Sequence, residues 1–171
     1  MIKNKKGFTL IELLVYIGIF SILAAGIFSF VIWVVQSNHK TMVSREVLDN
    51  ARRAMEIITY QIRESENVYS STSVFEISPG QLSLKTKKYL PSGEEESYID
   101  FYICENKLCL KEEEQAPIPF TSDRVKIDKL IFNKVGENSI QIYLKVDYLA
   151  PNNKSEYQGS ADATSTVNIR Y

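Results

Sequence analysis

Histidine and tryptophan each occur once and cysteine twice in these 171 residues. Two cysteines and the distant His39 cannot complete a tetrahedral metal site within one chain. No glycine-rich phosphate loop, HExxH or GxSxG motif is present, so the residue constellations that carry common enzymatic chemistry are missing. Excess positive charge is missing too. The 20 basic residues face 21 acidic ones, and nothing there marks nucleic acid as a default partner. Neither proline nor glycine occurs between Ile27 and Val74, so composition forces no helix break across that stretch. Charge is nearly absent from Phe8 to Val35, where Glu12 is the one charged side chain.

That last stretch, FTLIELLVYIGIFSILAAGIFSFVIWVV, is 28 residues long. As a helix it would measure roughly 42 Å, against a bilayer hydrocarbon core of about 30 Å. Lys3, Lys5 and Lys6 crowd its N-terminal side, whereas Lys40, Arg45, Glu46 and Asp49 form a dilute mixture behind it. The positive-inside bias then predicts a cytoplasmic N-terminus and an exported C-terminal domain. A cleaved secretory signal could use Ala24-Ala25-Gly26, but the apolar run continues nine residues further, through Trp33 to Val35. A plain signal anchor accounts for the length and the lysines and leaves Glu12 without a purpose. An ionised carboxylate at membrane depth costs about 2.5–3.5 kcal/mol on insertion scales, and such groups usually pair or face protein. Alternatively, Glu12 lies near enough to the headgroups to stay hydrated.

KKGFTLIELLVYIGIF, beginning at Lys5, resembles the N-terminal motif of type IV pilins and type II secretion pseudopilins. The resemblance implies a prepilin peptidase that cuts between Gly7 and Phe8 and N-methylates Phe8. It also implies that Glu12, fifth in the mature chain, pairs with the new Phe8 amine of a neighbouring subunit during assembly. Residues 1–7 would be the leader, and their removal takes three lysines but leaves the apolar span attached. The implied partners are the peptidase, other pilin or pseudopilin subunits and the lipid bilayer. No cofactor, metal or small-molecule substrate is expected, and DNA is a partner only under the competing expectation of a DNA-uptake subunit. The implied location is the bacterial inner membrane, crossed once, and then an extracytoplasmic filament.

Beyond the span, Val47, Leu48, Ala51, Ala54, Met55, Ile58 and Ile62 recur at three- and four-residue intervals among charged residues, predicting an amphipathic helix that packs on its own domain. Strands are predicted at 73–78 and 81–86 around Pro79-Gly80, at 98–103, 107–111, 125–133 and 139–148, and at 164–171 after a loop at 151–163. The expected fold is α+β and pilin-like: a leader (1–7), a membrane and assembly helix (8–36), its amphipathic continuation (37–68) and a β-rich exported domain (69–171) packed as an antiparallel sheet.

Residues 50–69 further resemble minor subunits of the PilW and pseudopilin J type. Major pilins often carry proline at the twenty-second mature residue, where this chain has Ser29, and close a C-terminal disulfide loop that Cys104 and Cys109 cannot form. Both departures suggest a minor subunit, while retention of Glu12 argues against the tip pseudopilin that lacks it. Cys104 and Cys109 enclose a four-residue turn, and an exported domain permits a disulfide there, with two free thiols as the lesser alternative. The glutamate runs at 94–96 and 112–114 read as solvated loops, and His39 as a solvated helix residue. The competing functional expectation is a membrane-anchored adhesion or DNA-uptake subunit at a filament tip.

Overall fold

The computed structural model describes residues 7–88, 90, 93–150 and 157–169. The three leader lysines, part of the predicted 151–163 loop and the last two residues of the predicted closing strand lie outside them. The chain divides into two compact units, Met1–His39 and Lys40–Tyr171. One helix, α1 (Leu10–Glu64), contributes to both.

In the first unit α1 is uncovered. Side chains from Phe8 to Val35 are exposed almost without exception, and an 18-residue window of α1 reaches a mean hydropathy of 2.4 with none of it buried. The helix runs through Gly18 and Gly26, where an added Cβ would meet nothing within 4 Å. Ser21 Oγ donates to Ile17 O at 2.8 Å, satisfying the hydroxyl within the helix itself.

In the second unit the distal part of α1 buries a stripe of Val43, Val47, Ala51, Ala54, Met55, Ile58 and Ile62. Leu48, expected in that stripe, is 56% exposed, and Val43 takes a place at its N-terminal end. The displacement is geometric. Each residue turns the helix by about 100°, so Leu48 sits off the centre line that Val47, Ala51, Ala54 and Ile58 define. Buried Ser65 ends the helix by donating its hydroxyl to Ile62 O at 2.8 Å, and Glu66 N then donates to Lys85 O, turning the chain into the sheet.

Two antiparallel sheets follow where one was expected. The first has five strands in sequence order: β1 (Asn67–Val68), β2 (Leu82–Thr86), β3 (Ser97–Cys104), β4 (Lys107–Glu112) and β5 (Ile118–Pro119). The second has three: β6 (Val125–Val135), β7 (Ser139–Tyr148) and β8 (Ser160–Asn168). The β3–β4 hairpin turns on Glu105 and Asn106, both at positive φ (48° and 64°), the pairing a two-residue hairpin requires. The β6–β7 hairpin turns at Gly136 (φ 69°), with a register shift between Ile127 and Lys129. On the outer face of that pair Lys145 Nζ bonds Asp128 Oδ2 at 2.8 Å, and this hydrogen bond holds the Asp128 carboxyl below its ordinary value.

Residues 73–78, predicted as a strand, make only a single bridge, Val74 to Gln81. Their backbone goes elsewhere. Glu76 N donates to Phe132 O at 2.9 Å and Gly80 N to Leu130 O at 2.8 Å, so this segment covers the outer edge of β6. Gly80 permits the approach, since a Cβ there would lie 3.0 Å from Leu130 O. The closing strand begins four residues earlier than expected, at Ser160, and pairs with β7 without interruption. Just before it, a Cβ on Gly159 would lie 2.6 Å from Val43 Cγ1.

The core lies where the α1 stripe meets Leu82, Leu84, Ile99, Phe101, Leu130, Phe132, Ile142 and Leu144, all essentially without solvent contact. The alternation predicted for 139–148 is seen in Ile140, Ile142, Leu144 and Val146, each buried. Phe132→Ala should cost about 3–5 kcal/mol, whereas Leu48→Ala should stay within about 0.5 kcal/mol. Chemical denaturation of the detergent-solubilised protein measures both.

Candidate functional site at the helix N-terminus

A helix leaves its first four backbone N–H groups without internal partners, a heavy cost wherever water is scarce. Gly7, Phe8 and Thr9 precede α1 and are exposed. Thr9 occupies the N-cap, and Glu12 is the third helical residue. Glu12 N donates to Thr9 Oγ1 at 3.3 Å, while Glu12 Oε2 accepts from Thr9 N at 3.0 Å and from Thr9 Oγ1 at 2.8 Å. This reciprocal arrangement is a capping box. It also places negative charge at the positive end of the helix dipole.

Sequence reasoning asked why Glu12 should stand in an apolar run and overlooked its partner, Thr9. The signal was available, because Thr9-Leu10-Ile11-Glu12 before an apolar stretch is the capping-box pattern. Glu12 Oε2 is thus engaged within its own chain, and among the described residues no hydrogen bond is made to Oε1. Phe8 folds over the first turns of α1, its ring edge-on to Tyr16 with centroids 5.8 Å apart. The backbone at Gly7 is open, and an added Cβ would meet nothing within 4 Å.

The other residues singled out in the sequence stand apart from this cluster. Cys104 and Cys109 lie at the β3–β4 hairpin, their Cα atoms 5.9 Å apart, and are joined in a disulfide. That separation lies within the usual bridging range. Among the glutamate runs, Glu113 Oε2 accepts from Tyr98 N at 3.1 Å and Glu96 pairs with Lys85. Among the described residues, no group of three or more His, Cys, Asp or Glu side chains could hold a metal ion. His39 is an exposed residue of α1.

A Gly–Phe junction just outside a capped, uncovered apolar helix agrees with comparison to known families. The model described as the prokaryotic N-terminal methylation motif matches residues 2–28. The likeness is to this motif, over the residues that hold the Gly7–Phe8 junction, Thr9 and Glu12. Among solved structures the chain is similar to a type IV-like pilin from Thermus thermophilus at 10% identity and a TM-score of 0.46, over 71% of this chain and 95% of that one. No curated protein matches the chain.

Two measurements follow from this geometry. Thr9→Val keeps shape but removes the cap hydroxyl, at about 1 kcal/mol. Hydrogen exchange in micelles should then quicken roughly fivefold at Leu10 to Glu12 and nowhere in β6–β8. Alkylation of the denatured, unreduced protein should leave Cys104 and Cys109 unlabelled, and Cys109→Ser should lower stability by about 2 kcal/mol.

Proposed function

We propose that this protein is a minor structural subunit of a type IV pilus or a type II secretion-like pseudopilus. It enters the inner membrane as a precursor with its N-terminus in the cytoplasm. A prepilin peptidase cuts between Gly7 and Phe8 and methylates the new Phe8 amine. Other pilin or pseudopilin subunits then take it up through α1 into an extracytoplasmic filament.

The observation that carries this reading is the position of Gly7–Phe8, exposed and non-helical, three residues before a capped helix whose apolar surface its own chain leaves bare. A cut there discards the basic leader and keeps the whole span. The capping box adds a reason for Glu12 to be held still. Oε2 is fixed by Thr9, so Oε1 is the acceptor offered to an incoming amine. In a low-dielectric setting a charge-assisted hydrogen bond of that kind is strong, and an unmatched carboxylate is penalised. Glu12 therefore favours the assembled state by being unfavourable outside it.

Support for the minor-subunit assignment comes from Ser29 in place of the proline frequent in major pilins and from the resemblance of residues 50–69 to PilW-type and pseudopilin J-type subunits. The disulfide at Cys104 and Cys109 is read as a brace for the exported domain, formed after translocation.

Mass spectrometry of the protein from membranes should find a chain beginning at N-methylated phenylalanine 8. A chain that retains Met1 or begins after Gly26 would refute the proposal. Glu12→Ala should be cut normally but fail to enter filaments, seen as loss from the sheared filament fraction with retention in the membrane.

A further inference from the structure

Sheet edges are hazards because their unpaired N–H and C=O groups recruit other strands, and proteins ordinarily blunt them. Three edges here are blunted. β1 is two residues long, and β5 is two residues long and ends in Pro119. The outer edge of β6 is covered by Glu76 and Gly80 and interrupted by its register shift. β8 has none of these protections. Its nine residues pair with β7 in unbroken register, contain no Pro, Gly, Lys or Arg, and meet no described strand on the far side.

The layer beneath that edge is unfinished. β6 and β7 send Leu130, Phe132, Ile142 and Leu144 into the core, whereas β8 sends Ala161, Ala163 and Ser165 inward and only Val167, near its end, is a larger buried side chain. The small side chains leave a cleft of about 680 Å³ between β8 and α1. Ala51, Met55 and exposed Leu48 line its helical wall. This is the Leu48 that left the buried stripe.

The lip is charged in alternation. Arg45, Asp49, Arg52 and Glu56 border the cleft, and none of them forms an ion pair among the described residues. Mixed sign disfavours a polyanion such as nucleic acid and matches a peptide bearing both charges. The lengths agree as well. From residue 45 to 56 the helix rises about 16 Å, and five extended residues span about 16 Å.

We infer that β8 is a strand-addition site for an extended segment of another polypeptide, with bulky apolar side chains at alternate positions filling the cleft and charges of both signs meeting the helix. The added strand takes the free backbone donors and acceptors of β8 and supplies the large side chains that β8 lacks. The inference is independent of the leader and its processing.

The test uses the full chain in detergent micelles with a synthetic nine-residue peptide that alternates valine with lysine and glutamate. Amide exchange read by mass spectrometry should slow at least roughly tenfold over 160–168 at saturating peptide, the protection expected of a paired edge. Ala163→Arg, which fills the cleft, should weaken peptide binding at least roughly tenfold with no change in thermal midpoint. If Ala163→Arg fails to fold, Leu48→Glu, at an exposed position, should weaken it likewise. The inference is overturned by unchanged exchange in β8, by equal protection from a peptide N-methylated along its backbone, or by undiminished binding in the folded variant. A peptide-free dimer in light scattering with β8 already protected would also overturn it, because a second copy would then be the occupant.

Discussion

Backbone polar groups cannot go unpaired where there is no water, and α1 starts at a place where four of them would. The mutual grip of Thr9 and Glu12 answers that constraint at the helix's first turn. A helix that frayed here would leave its first amides without partners and would free the Glu12 carboxylate.

The two parts of α1 show how one helix serves unlike surroundings. From Leu10 to Val35 it is apolar apart from Glu12, Ser21 and Ser29, and its side chains are almost all exposed among the described residues, while from Val43 onward it presents a narrow buried stripe and charged flanks. Each pattern is what its solvent selects. Lipid accepts apolar groups all round, whereas a sheet covers only one face. The change in pattern occurs without proline or glycine, and α1 is unbroken in sequence from Leu10 to Glu64.

Much of the architecture was legible because periodicity reports burial. Three- and four-residue spacing located the α1 stripe, and strict alternation located β7 with its inward Ile140, Ile142, Leu144 and Val146. Legibility failed where tertiary pairing decided the outcome. Residues 73–78 have a strand's composition, yet they spend their amides on the β6 edge, and nothing local announces that use. The start of β8 was hidden by small polar residues, Ser160 to Ala163, that look like loop until β7 supplies a ladder. The division into two sheets depends on which edges are covered, a non-local fact. At the helix N-terminus Gly7, Phe8 and Glu12 stand out only through the resemblance of KKGFTLIE to a pilin leader, whereas the Thr9–Glu12 cap is readable from its three-residue spacing.

Gly159 admits no side chain at its place beside Val43, since even a methyl group would press into a β-branched neighbour that cannot swing away. Selection acting on this gene should therefore treat codon 159 very differently from its surroundings. A solvent-facing position such as Glu137 has room for other side chains, while the single hydrogen at 159 is the tolerance to which the final strand is seated.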